Sequence, residues 1–256
     1  MTASDASDPG FGDVVAAEWI RFRTVRASVG AVAVLAALLP VLAAVVAATG
    51  SYQADDTIVG ASVLAGATVG QLVAAGLGAS TVTGELRSGS MCSTLTACPR
   101  RSSVLAAKAT VAATVTFAAS LVGTAVAVVI GVAAIDSSGH ATGDVGTAVV
   151  GVSLALAAAA ALGVGLGALV RHTGGALAAV LAVVLLPGFV APMLGDLGRW
   201  VAGASNAGAL QKLAQSSDAT HDTVGSLAAW PSLAVVVATA AGFLVVGARR
   251  FGSCDL

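Results

Sequence analysis

Residues Glu85–Lys108 read ELRSGSMCSTLTACPRRSSVLAAK and lie between two long runs almost free of charge. The stretch holds Arg87, Arg100, Arg101 and Lys108, four of the twelve Lys and Arg residues in the protein. A polar, basic segment between two such runs is a loop joining two helices that cross a membrane. The side of the membrane on which it lies fixes the topology of the whole chain.

Composition demands a membrane. Of 256 residues, 57% are hydrophobic and only 10% charged, and the mean hydropathy is +0.95. A soluble domain carries about a quarter charged residues. This chain cannot cover its surface with charge and must put apolar surface into lipid. Ala, Val, Leu and Gly dominate, which suits helices that approach closely in a bilayer, although biased base composition would give the same richness.

A bilayer core needs about 20 apolar residues in a helix. Six spans meet that requirement, at about 28–49, 58–82, 103–135, 145–170, 174–194 and 229–248. Pro40 interrupts the first, and Pro187 and Pro192 fall late in the fifth. The third is longer than a membrane requires, so its first turns, with Lys108, are expected to project into the cytosol. Residues 171–173 give a tight turn. The expected fold is an all-α integral membrane protein with six transmembrane helices, organised as 1–27, a transmembrane domain over 28–248, and a tail at 249–256.

The N-terminal segment has two parts. Residues 1–12 are polar and acidic, unlike the positive start of a signal peptide. In 13–27, DVVAAEWIRFRTVRA, Val15, Trp19 and Phe22 recur at helical spacing with Arg21, Arg23 and Arg26 interleaved. That pattern suits an amphipathic helix in the headgroup layer; a straight extension of the first span is the alternative.

Cytoplasmic segments are enriched in Lys and Arg. With the N-terminus inside, Arg21, Arg23, Arg26, Arg87, Arg100, Arg101, Lys108, Arg171, Arg249 and Arg250 are cytoplasmic, ten of the twelve basic residues. Both termini are then cytoplasmic. Acidic residues collect outside, as Asp55, Asp56, Asp136, Asp144, Asp196, Asp218 and Asp222. The long outer loop, 195–228, is either a re-entrant segment after the broken fifth span or a surface loop with a short amphipathic helix.

Several chemistries are excluded. An ion-coupled carrier needs carboxylates, His or Lys at depth; here Gln71, Thr68 and Thr116 are among the few polar groups there. His140, His172 and His221 form no metal or catalytic pattern. Cys92, Cys98 and Cys254 have no C-x-x-C spacing and fall in reducing surroundings. No G-x-x-x-x-G-K-[ST] phosphate loop is present, so no cofactor is expected on this chain and no catalytic residue is assigned. Gly66-x-x-x-Gly70 and Gly163, Gly165 and Gly167 are candidate helix contacts.

The loop itself is the specific feature. In TGELRSGSMCSTLTACPRRSSVLAAK, residues 83–108, an acid is followed by a basic-Ser-Gly turn, then Thr-Leu, then Pro-Arg-Arg and a Lys that opens the next span. This closely resembles the first cytoplasmic loop of type-2 ATP-binding-cassette (ABC) transporter permeases, with Glu85, Arg87, Gly89, Thr94, Leu95, Pro99, Arg100, Arg101 and Lys108 in order. The basic tail at Arg249–Arg250 matches that family poorly, its acid falling late, at Asp255.

The residues support a helix of about two turns over 90–98, ended at Cys98 because the residue before a proline avoids helical geometry. Such a helix presents Met91, Thr94 and Leu95 to a partner. Arg100 and Arg101 would meet anionic lipid or simply hold the orientation, and Glu85 would pair with Arg87 or an N-terminal Arg.

The resemblance implies a permease subunit of an exporter in the plasma membrane, with the coupling loop at 83–103 docking on a separate P-loop ATPase, two copies of which bind ATP and Mg. It implies a second permease copy, identical or paralogous, and no nucleic acid. The apolar lining suggests a hydrophobic or amphipathic cargo: a drug, antibiotic or lipid-like molecule. The alternative is a six-span scaffold or sensor that transports nothing. A membrane enzyme fails for want of an ionisable cluster.

Overall fold

A computed structural model describes residues 10–88, 101–135 and 139–252. Among these residues all regular structure is helical, and six helices are long and apolar enough to cross a membrane.

The first helix, α1, covers Phe11–Thr24, with Asp13 in its first turn and Arg21 and Arg23 in its last, each where the helix dipole favours it. Val25 then leaves helical geometry at φ −83° and ψ 110°, and α2 starts afresh at Arg26, running to Thr49. The break rules out a straight extension. α1 packs against the third long helix, with Phe22 buried beside Leu77 and Val111. Trp19 and Ile20 face outward, 47% and 57% exposed, so the inward face is Val15, Glu18 and Phe22.

The spans follow as α3 (Ile58–Ser88), α4 (Arg101–Ala134), α5 (Val145–Val170) and α6 (Thr173–Val190). α3 runs further than its apolar core, carrying Glu85 and Arg87 on the same helix. Asp144 caps α5 by accepting from the N–H groups of Gly146 and Thr147 at 3.0 and 3.3 Å. Arg171 ends α5 in the left-handed region at φ 59°, and His172 Nδ1 accepts from the Gly175 N–H to start α6. That is the tight turn expected at 171–173.

α3 and α5 form the centre. In α5, 78% of the most apolar window is buried, against 22% in α2 and in α6, so the outer helices offer their apolar faces to lipid. The centre closes because glycines let backbones meet: a Cβ at Gly163 would lie 1.9 Å from the Ala75 carbonyl oxygen, and one at Gly78 1.9 Å from that of Ala160. Gly66 brings α3 against α2, where an added Cβ would lie 2.9 Å from the Leu39 Cα. Small-residue packing of this kind holds helices together where water supplies no hydrophobic drive.

The contacts set the directions. Gly163 meets Ala75 and Gly167 meets Ala79, so α3 and α5 run the same way. Gly131 meets Ser62 at one end and Lys108 meets Glu85 at the other, so α4 runs opposite to them. α10 (Ala229–Gly252) runs with α5, Gly165 lying against Phe243 and Leu244. Arg171 and the carbonyl of Arg250 are joined at the Glu85 end, where α1 also packs.

Between α6 and α10 come 3₁₀ turns at Ala191–Met193 and Gly195–Leu197, then α7 (Gly198–Gly203), α8 (Asn206–Ala214) and α9 (His221–Val224). This segment is re-entrant. At the start of α8, Asn206 Nδ2 donates to Gln71 Oε1 at 2.6 Å. Gln71 lies about 20 Å along α3 from Ile58, at about 1.5 Å per residue. α8 then rises to the far end, where the Gln215 side chain exchanges two hydrogen bonds, each 2.8 Å, with the backbone of Asp144. Leu210 and Leu213 are fully buried against α3 and α5. Irregular backbone at membrane depth survives only where protein encloses it.

Candidate functional site

The residues singled out around the basic loop divide into two groups. Glu85 and Arg87 lie on the last turns of α3, and Arg101 opens α4. Gly89, Met91, Thr94, Leu95, Pro99 and Arg100 lie outside the described residues. What the structure supplies is the pair of stems from which the loop springs.

Those stems are joined by charge. Lys108 Nζ donates to Glu18 Oε2 at 2.6 Å and also to Glu85 Oε1. Arg21 Nε lies 3.3 Å from Glu85 Oε1. Glu85 therefore meets an N-terminal arginine, one of the two partners expected. The expectation for Lys108 was different. Instead of projecting into solvent, it is 3% exposed, because α1 lies across the first turns of α4 and covers it. Its ammonium would be costly to bury alone, and two carboxylates from different helices compensate it.

Glu18 is the residue that sequence reading missed. It is 7% exposed and lies three residues after Val15 and four before Phe22, on the inward face of α1. An acid at that spacing, in line with the apolar residues Val15 and Phe22, is the available signal. With it, α1, α3 and α4 carry an electrically balanced cluster of two acids and two bases. Three elements distant in sequence are thus fixed together at the base of the loop.

The far end is arranged differently. Burial pushes the Asp56 carboxyl up, but the N–H groups of Ser217 and Gln53 and the hydroxyls of Ser217 and Ser216 together hold it below its ordinary value. Asp144 is also held low, by the hydroxyl and N–H of Thr147. These carboxylates anchor the re-entrant segment and the start of α5. Tyr52 and His140 make an edge-on ring contact at 5.4 Å. Among the described residues no group of three His, Cys, Asp or Glu side chains could hold a metal ion.

Six apolar helices, a re-entrant segment and a basic loop braced by an ion cluster define a multi-pass membrane protein of the permease type. Residues 23–256 match the model of the ABC-2 family transporter protein, and the chain belongs to that family. No curated protein matches the chain. The protein is therefore a membrane component of an ABC transporter, and the family implies association with an ABC ATPase subunit.

Proposed function

We propose that this chain is the permease of an ATP-driven exporter, and that the segment between α3 and α4 docks on a separate ATPase. The observation that carries this reading is the cluster of Glu18, Arg21, Glu85 and Lys108, which ties both stems of that segment to α1. A force applied to the loop by a partner is then delivered to α1, α3 and α4 together instead of being lost in a flexible linker. Glu85, Arg87, Gly89, Met91, Thr94, Leu95, Pro99, Arg100 and Arg101 make the docking element. Two ATPase copies hold ATP and Mg, and a second permease copy completes the pathway. This chain supplies no ATP site of its own.

The excess of basic residues at the Glu85 end supports a cytoplasmic location for that end and for both termini, in a plasma membrane. The apolar spans fit a hydrophobic or amphipathic cargo such as a drug, antibiotic or lipid-like molecule. Copurification tests the reading: the tagged permease brings down an ATPase bearing a phosphate loop, and P99A/R100A/R101A reduces cargo export by about tenfold or more, as expected when charge-assisted contacts are lost. A scaffold that transports nothing would bring down no ATPase, and the triple substitution would change no export.

A further inference from the structure

A cavity of about 390 Å³ lies between α1 and the bundle, a volume within the range of small-ligand sites. Its deep wall is the paired Lys108, Glu18 and Glu85. Phe22, Val25 and Val111 supply apolar sides, and Ser80, Thr81 and Gly84 form the α3 edge.

The polarity of this cavity is directional. Deep inside, the charges compensate one another. Toward the mouth the more accessible charge is positive: the Arg21 side chain is 31% exposed, against 13% for Glu85 and 9% for Glu18. Arg23 and Arg26, neighbours in sequence of the lining residues Phe22 and Val25, are exposed, and α2 contains no acidic residue. The start of α2 at Val25 has no side-chain cap, which adds partial positive charge at the same edge. Beyond the mouth, Val25 and Val29 are 45% and 47% exposed and continue the apolar wall along α2. A Cβ at Gly84 would meet nothing within 4 Å, so the α3 edge is open.

We propose that this cavity is a binding site for an anionic phospholipid, its phosphate held at Arg21 and its acyl chains leaving past Val25 and Val29. A lipid is favoured because the positive mouth and the apolar wall are continuous and lie where α1 meets the first span. The same anionic chemistry is carried by free phosphate, which lacks the tail. The site does not depend on the transport reading, because lipid retention is measured without any ATPase.

The test uses the delipidated full chain in neutral detergent, titrated with phosphatidylglycerol, phosphatidylcholine or inorganic phosphate. Retained lipid is read by native mass spectrometry and stability by melting temperature. Phosphatidylglycerol is expected to be retained over phosphatidylcholine and to raise the melting temperature, with inorganic phosphate doing neither. Gly84→Phe plugs the mouth from α3, and Arg21→Gln removes its charge. Each is expected to weaken phosphatidylglycerol binding by about tenfold, as for one charge-assisted hydrogen bond.

Gly30→Phe is the control on α2, because a Cβ there also meets nothing within 4 Å and Gly30 does not line the cavity. It should bind as the parent does. Arg21→Gln also disturbs the ion cluster, so Gly84→Phe is the deciding variant. Undiminished binding in Gly84→Phe, equal retention of the two lipids, or stabilisation by phosphate equal to that by lipid would each overturn the proposal.

Discussion

Replacing Lys108 by Met strands the Glu18 carboxylate and takes from Glu85 its more buried partner, leaving it to Arg21. Glu18 and Glu85 have side chains only 9% and 13% exposed, and Lys108 is their shared partner. At the 2.6 Å separation from Glu18, and with an effective dielectric of about 20, the attraction is about 6 kcal/mol. Desolvation of both groups offsets part of that. The net cost of breaking such a buried pair is about 3–5 kcal/mol.

Glu18→Leu leaves Lys108 with Glu85 and should cost less, about 1–3 kcal/mol. Replacing the three groups together by Leu, Met and Met should return stability to within about 1 kcal/mol of the parent, since no unpaired charge is left buried. Arg21 is partly exposed and loses little when Glu85 is removed.

The assay is the melting temperature of the detergent-solubilised protein, paired with tryptic cleavage at Arg21, Arg23 and Arg26, which reports release of α1. The cleavage rate follows the population of the open form when closing is fast. A cost below about 1 kcal/mol for Lys108→Met would refute the reasoning. So would a Glu18→Leu/Lys108→Met cycle that is additive within about 0.5 kcal/mol, because groups in contact must couple.

Three further outcomes are expected. Gly163→Ala places a methyl against the Ala75 carbonyl and should destabilise by about 1–3 kcal/mol through overpacking, whereas Gly30→Ala should not, as melting temperatures will show. Gln71→Leu leaves Asn206 buried without its hydrogen-bond partner and should cost about 0.6–2 kcal/mol, read in the same way and as faster hydrogen exchange in α8. The third outcome is a pH effect: Asp56 is held low in the folded state, so its contribution is full above the unfolded carboxyl value of about 3.9 and is lost as pH falls through the lower folded value. Acid titration of Trp200 fluorescence should show a transition there that Asp56→Asn removes.

The sequence made the spans legible because lipid imposes a length and a composition, and α5 was placed to the residue. The break at Val25 was harder to read. A basic amphipathic segment before a span is compatible with both a bent and a straight continuation, and only the packing of Phe22 and Glu18 decides between them. The burial of Lys108 was hidden for a related reason: a lysine near the start of a long span looks solvated until another helix covers it.

The re-entrant segment was visible only as an open choice. Its key contact joins Gln71 to Asn206 across 135 positions of the chain, and short-range periodicity carries no trace of such a pairing. Of the loop residues, Glu85 could be paired in advance, because an acid at the end of a span has few basic neighbours. Which ones it chose depended on where α1 lay.

The central claim is that the loop held between α3 and α4 receives the ATPase. A photo-crosslinking side chain introduced at Leu95, in membranes containing the permease and its ATPase, tests it most directly. The account predicts a crosslink to the ATPase from position 95 and none from Gln215 at the opposite end of the bundle. A crosslink from position 215, with none from position 95, would contradict it.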